Sequence, residues 1–158
     1  RMIEVQAVIG LIQLQRMSEW SRLRTDNCAR IWACARELPG LRVPELPGDI
    51  LHAGYKCYVF VEPTRLKAGW TRRRVLDTLI EGGVPCNQGS CSEIYLEKAF
   101  DNTGWRPEMP LPVARELGET SMMFMVHPSL TRSELDKTCV ALMRRPGAIE
   151  KHVLGKTA

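Results

Sequence analysis

Residues 2–38, MIEVQAVIGLIQLQRMSEWSRLRTDNCARIWACAREL, decide the fold, because their apolar positions recur at helical spacing along the whole stretch. Val5, Val8, Ile9 and Ile12 stand three and four residues apart, Met17, Trp20 and Leu23 continue the series, and Cys28, Ile31, Ala35 and Leu38 complete it. That period puts the side chains on one face of an α-helix. Pro39-Gly40 supplies the stop. The pattern predicts one long helix, or two nearly in line. Its first third, Met2 to Leu14, is apolar on nearly every side, and a helix of that kind is buried all round. A domain of this size can hardly provide such cover, so a further domain or subunit is expected against it. The chain enters the helix at Arg1-Met2-Ile3, with neither an initiator methionine nor the Ser, Thr, Asp or Asn that usually caps a first turn. That start reads as a cut through a longer protein.

After the helix, residues 41–51 are Pro-rich and read as irregular. Tyr55 to Val61 (YKCYVFV) is rich in aromatic and β-branched residues and predicts a strand, ended by Pro63. Thr71 caps a helix carrying Val75, Leu76, Leu79 and Ile80, which Gly82-Gly83 closes. Val84 to Cys86 reads as a short strand leading into a polar loop, Asn87-Gln88-Gly89-Ser90. Residues 91–111 are irregular with about one helical turn, and Pro112 opens a helix through Ala114 and Leu117. Met122 to Val126 is an apolar run of strand length. Thr131 then caps a last helix, with Glu134 completing a capping box and Leu135, Cys139 and Leu142 facing inward. Pro146-Gly147 stops it. The order implies an α+β fold: a long N-terminal helix, then a small, mostly antiparallel sheet with helices packed on one face. The organisation expected is a linking helix over 1–38, a small α+β domain over 39–145, and a tail over 146–158.

Composition narrows the function classes. The chain has 158 residues, 44% hydrophobic and 25% charged, and a formal net charge of +4. These are the proportions of a soluble globular domain. The arginines are dispersed along helices rather than gathered into a basic stripe, which argues against a nucleic-acid partner. No signal peptide and no membrane-spanning apolar run is present. The six cysteines include no Cys-x-x-Cys pair, and several fall within apolar patterns where cysteine acts as a small hydrophobe. Reduced thiols in a cytoplasmic protein follow from this.

The sequence carries few general catalytic patterns. Neither Gly-x-Gly-x-x-Gly, a phosphate loop nor His-Glu-x-x-His occurs. Cys86 and Cys91 are too far apart for the usual zinc-ligand spacing, so no metal site is expected. His52 and His127 adjoin strand-like runs and read as satisfied histidines at strand ends. The segment Gly83 to Glu93 (GVPCNQGSCSE) gathers small residues, hydroxyls and amides between a strand and a turn, a place where loops carry function.

Several blocks, taken together, are specific. Arg1 to Gly10 (RMIEVQAVIG) resembles a signature of the DegT/DnrJ/EryC1/StrS aminotransferases, and four further blocks resemble a subgroup of that family. These are His52–Tyr58 (HAGYKCY), Gly83–Tyr95 (GVPCNQGSCSEIY), Leu111–Thr120 (LPVARELGET) and Ser121–Thr131 (SMMFMVHPSLT), in register with the C-terminal part of such enzymes. The resemblance implies the small domain of a fold-type-I enzyme that uses pyridoxal phosphate. Such enzymes move an amino group, usually from glutamate, to a keto-sugar carried on a nucleotide, often for surface polysaccharide. The resemblance implies a homodimer with the active site at the subunit interface. It also implies that the cofactor lysine belongs to a large domain outside this chain, because none of Lys56, Lys67, Lys98, Lys137, Lys151 and Lys156 matches its motif. No catalytic residue is then expected here. The cofactor- and substrate-binding candidates are Arg1, Gln88, Ser90 and Ser92. Arg1 follows the place of an asparagine that reaches the partner subunit's cofactor phosphate, and its guanidinium fork suits a carboxylate or phosphate. The loop holding the other three aligns with the place of a family His-Tyr pair, where this chain has Gly89 and Ser90, so no role is carried over from that pair. Leu66 to Trp70 (LKAGW) is expected at the surface, near the substrate mouth. A reading from another class is a stand-alone binding, oligomerisation or regulatory module derived from this domain.

Overall fold

In the computed structural model, which describes residues 1–144, the opening pattern is one uninterrupted helix, α1 (Glu4–Arg36). Its missing side-chain cap is partly replaced by Gln6, whose Oε1 accepts the Ile3 amide at 3.1 Å. Four strands follow: β1 (Leu41–Arg42), β2 (Cys57–Val61), β3 (Cys86–Gln88) and β4 (Ser121–Phe124). They form one antiparallel sheet in the order β1-β2-β4-β3. The remaining helices are α2 (Arg72–Glu81), α3 (Pro112–Thr120) and α4 (Arg132–Met143). The α+β class with a small antiparallel sheet is the one expected.

Pleating sorts β2 into two faces. Cys57, Val59 and Val61 are buried, paired across the ladder with Phe124, Met122 and Leu41 respectively. Against this inner face pack Cys28, Ile31, Trp32 and Ala35 of α1, Val75, Leu76 and Leu79 of α2, and Leu135 and Leu142 of α4. Trp32 also donates its indole N–H to the Tyr58 carbonyl at 2.9 Å, and the Arg30–Asp136 ion pair ties α1 to α4. Tyr58 and Phe60 alternate to the outer face, where Leu117 of α3 lines a pocket with them.

Both predicted N-caps form. Thr71 accepts the Arg74 amide at 3.3 Å, and Thr131 with Glu134 makes the reciprocal capping box. Several boundaries differ from the sequence reading. Residues 41–51 are not wholly irregular, because Leu41 and Arg42 pair with Val61 and Phe60; a two-residue strand leaves no periodicity to read. The strand expected at Val84–Cys86 begins at Cys86, so Asn87 and Gln88 belong to the ladder, not the loop. The apolar run Met122–Val126 pairs over Ser121–Phe124. Residues 91–111 contain two 3₁₀ turns, Ile94–Leu96 and Lys98–Phe100, gathered around the Arg106 guanidinium, which donates to the Tyr95, Leu96 and Glu97 carbonyls. Leu66 and Trp70 pack on the core rather than standing wholly at the surface. The Pro146-Gly147 stop and the tail lie outside the described residues.

The first half of α1 is the exception to burial. Val5, Val8, Ile9, Leu11 and Leu14 are each more than half exposed. The all-round apolar pattern is therefore real in the sequence, and the other described residues do not cover it.

Candidate functional site

The outer face of β2 carries a cleft whose walls follow from strand alternation and two tight glycine contacts. The Ser90 Oγ lies 2.8 Å from the Tyr58 hydroxyl, and the Lys56 ammonium donates to it at 3.5 Å. On one side is a pocket of about 250 Å³ lined by Tyr58, Phe60, Ser90, Cys91, Ser92, Leu117 and Ser121. On the other is a pocket of about 490 Å³ that shares Tyr58 and Ser90 and extends over residues 50–56. The shared pair makes them two basins of one cleft, lined by an amine, a phenol and several hydroxyls.

The loop reaches this position because glycines let it lie close. A Cβ at Gly89 would overlap the Ser121 hydroxyl and come within 2.7 Å of the Ser121 Cβ. A Cβ at Gly118 would overlap the Ser92 hydroxyl. The Gly89 amide donates to the Ser121 carbonyl at 3.1 Å, which fixes the loop against β4. The departure of Gly89-Ser90 from a His-Tyr pair has a steric reason: no side chain fits at position 89 while Ser121 stays where it is.

Of the four residues singled out from the sequence, the structure brings two together. Ser90 and Ser92 line the cleft. Gln88 pairs with Met122 in the ladder and therefore points to the inner side of the sheet. There it lines a separate pocket of about 260 Å³ with residues of α2, and its Oε1 accepts the Arg72 guanidinium at 3.2 Å. The same guanidinium donates to the Gly118 carbonyl, so Gln88 belongs to a brace between α2 and the end of α3. Arg1 is exposed at the far end of α1. From Glu4 to Cys28, the first buried apolar residue of α1, the helix runs about 36 Å at 1.5 Å per residue. Lys56 and Tyr58 were not singled out. The alternation of YKCYVFV carried the signal, since an inward Cys57 and Val59 turn Tyr58 outward.

The one cysteine lining this cleft among the described residues, Cys91, is a poor nucleophile. Burial first, then the Glu97 carboxylate at 3.5 Å, pushes the Cys91 thiol up. In the core, burial pushes Cys86 up to about 11 and Cys139 up to about 12. The hydrogen bond to Cys28, then burial, keeps Cys57 protonated. His52 and His127 are satisfied locally: His52 Nδ1 accepts the Gly54 amide at 3.0 Å, and His127 Nδ1 lies 2.7 Å from the Ser129 Oγ. Among the described residues no cluster of His, Cys, Asp or Glu could hold a metal ion, and no helix is long and apolar enough to cross a membrane.

The donor set around the lysines does not suit pyridoxal phosphate. Among the described residues no carboxylate lines the Lys56 pocket, so none of them there would pair with a pyridinium nitrogen. Lys137 does share a pocket with Glu134, but that space is about 160 Å³ and the Glu134 carboxylate is committed to the Thr131 cap. Sites for molecules of the cofactor's size run from about 300 Å³ upward. Neither lysine has the surroundings of a covalent cofactor site.

Comparison with known proteins gives the family. The chain belongs to the DegT/DnrJ/EryC1/StrS aminotransferase family, which it matches over residues 1–143. An aminotransferase from Psychrobacter cryohalolentis of known structure is 49% identical with a TM-score of 0.84, over 90% of this chain and 38% of that one. The fold is shared with S. venezuelae DesV, solved in complex with a ketimine intermediate, at 22% identity and a TM-score of 0.77, over 90% of this chain and 36% of that one. The spore coat polysaccharide biosynthesis protein SpsC of Bacillus subtilis is 23% identical over 141 residues, covering 89% of this chain and 36% of that protein. The chain thus spans little more than a third of the length of its relatives.

Proposed function

We propose, with membership of this family as the premise, that the chain is the C-terminal part of a pyridoxal-phosphate-dependent aminotransferase acting on nucleotide-linked keto-sugars, with glutamate as amine donor. The cofactor would supply the electron sink for amino transfer. The surroundings of Lys56 and Lys137 do not suit that cofactor, and we assign its lysine and pyridine partner to another part of the parent enzyme, leaving the chain alone inactive. A homodimeric cytoplasmic parent serving surface-polysaccharide synthesis completes the proposal, with Arg1 directed to a carboxylate or phosphate at the subunit interface.

One observation carries this reading: the cleft on the outer face of β2 is lined by Lys56, Tyr58, Ser90, Ser92 and Ser121 rather than by a metal set or an activated thiol. Convergent hydroxyls and an amine bind and orient a polyhydroxylated, anionic ligand. They do not by themselves break its bonds. Assay of the full-length parent with glutamate and a panel of nucleotide-linked keto-sugars tests the activity. Formation of 2-oxoglutarate and an amino-sugar nucleotide is expected; no turnover on any member of the panel would overturn the substrate class. For the chain alone, borohydride treatment with pyridoxal phosphate should leave no stoichiometric label on a single lysine.

The exposed apolar half of α1 favours a second reading, a free-standing oligomerisation module. The parent reading accounts for the same surface as one covered by the remainder of a longer protein. A start codon directly before Arg1 would decide for the module.

A further inference from the structure

We propose that Arg72 is a positioning residue for the cleft: from the inner side of the sheet it clamps the last turn of α3 and so sets how far apart the cleft's walls lie. The proposal deepens the reading above and rests on it only for what the cleft binds. Arg72 is the first residue of α2 and is half-buried. Its guanidinium reaches three neutral acceptors, donating to the Gly118 carbonyl, to the Ser121 carbonyl at 3.5 Å and to the Gln88 Oε1 at 3.2 Å. A planar fork of N–H donors spans three acceptors at once. A lysine ammonium, a point charge on a flexible stem, does not hold such a set together.

The acceptors belong to both walls. Gly118 lies in the last turn of α3, where carbonyls lack helical partners and the helix dipole favours a cation. Ser121 opens β4, and its carbonyl also accepts the Gly89 amide at 3.1 Å, so one oxygen joins Arg72 to the loop that carries Ser90 and Ser92. Gln88 is the last residue of β3 before that loop. On the outer side, Leu117 and Ser121 line the pocket of about 250 Å³ opposite Ser90, Cys91 and Ser92. The two walls meet where a Cβ on Gly118 would overlap the Ser92 hydroxyl. A shift of this turn therefore widens or narrows the pocket directly. The helix depends on such a clamp because it buries little. Among the described residues, Thr120 is the one that α3 buries, and the Glu116–Arg42 pair at 3.7 Å joins two exposed side chains. An element with few buried contacts lies at the low end of local stability. Arg72 adds charge-assisted bonds at the point where α3 turns into β4.

The test pairs amide hydrogen exchange of the chain with steady-state kinetics of the parent enzyme. In Arg72→Ala, the amides of Gly89 and residues 117–121 should exchange about tenfold faster or more, as expected for loss of a charge-assisted bond, while those of Ile31 and Val59 in the core keep their rates. The KM for the keto-sugar should rise about tenfold with kcat held within about twofold, since Arg72 acts through the walls of the cleft and not on the reacting atoms. Arg72→Lys keeps the charge and loses the fork, so it should fall between wild type and Arg72→Ala on both readouts. Gln88→Met removes one acceptor and should give a smaller shift of the same pattern. Arg73→Ala, on the exposed side of α2, should change neither. Exchange that quickens equally at Ile31, Val59 and residues 117–121 would leave Arg72 a general stabilising residue and overturn the proposal. So would a KM left unmoved beside faster local exchange. If Arg72→Ala does not fold, Arg72→Lys and Gln88→Met carry the same comparison. Failure here is separable from failure of the functional reading. A parent active on nucleotide-linked keto-sugars, with KM unmoved by Arg72→Ala, refutes the positioning role alone. A parent inactive on all of them, with Arg72→Ala still opening residues 117–121 locally, refutes the functional reading alone.

Discussion

The two halves of α1 carry similar apolar content and end in opposite environments. Ile31 and Ala35 have no exposed surface, whereas Ile9 is 52% exposed and Val5 65%. The difference lies in what the chain folds back against them. The second half meets β2 and α4, and the Asn27 amide donates to the His127 carbonyl while Cys139 packs over the Arg30 carbonyl. The first half is left largely uncovered by the other described elements. Periodicity therefore reports that a face wants cover, and only long-range contacts report whether this chain supplies it.

The largest effect that could break this comparison is a matched pair of truncations. Ile31→Ala should cost about 2–5 kcal/mol through lost burial and a residual cavity, whereas Ile9→Ala should change stability by about 0.5 kcal/mol or less. Urea denaturation of both variants checks it; equal costs would mean that the first half is covered in solution. A smaller effect concerns α4, which closes the buried half. Thr131→Ala removes the side chain that caps it and should cost about 1 kcal/mol by the same measurement. Arg30→Ala, which breaks the ion pair to Asp136, should cost up to about 1 kcal/mol, because both side chains keep substantial solvent access.

The smallest effect is visible only against pH. Hydrogen bonds from the Thr131 amide and hydroxyl hold the Glu134 carboxyl below its ordinary pKa. A carboxyl with a depressed folded pKa adds stability that is present above its unfolded value, about 4.3, and is lost as pH falls through the lower folded value. Glu134→Gln should therefore flatten the acid limb of the melting temperature below about pH 4.3 without altering its shape near neutrality. An unchanged acid limb would show that the capping box contributes nothing to linkage.

Legibility differed by element. The long helix, both threonine caps and the helix opened by Pro112 were readable because each rests on contacts within a few residues. The two-residue β1 was not, since its existence depends on Phe60 and Val61 across the sheet. The start of β3 was misplaced because Cys86, Asn87 and Gln88 are strand only through their register with β4. The candidate site divided in the same way. The unusual composition of the Gly89–Ser92 loop was evident in the sequence, and Ser90 and Ser92 do line the cleft. Lys56 and Tyr58, more than 30 positions away, reach them only through folding.

By itself the sequence determined the helix faces, the caps, the α+β class and, through its blocks of resemblance, the family, because these depend on local spacing and residue type. Tertiary structure decided which half of α1 is covered, that Gln88 faces α2 while Ser90 and Ser92 face the cleft, and that position 89 admits glycine. Those outcomes depend on strand register and on close approaches between segments distant in the chain, and neither quantity is written in any short stretch of residues.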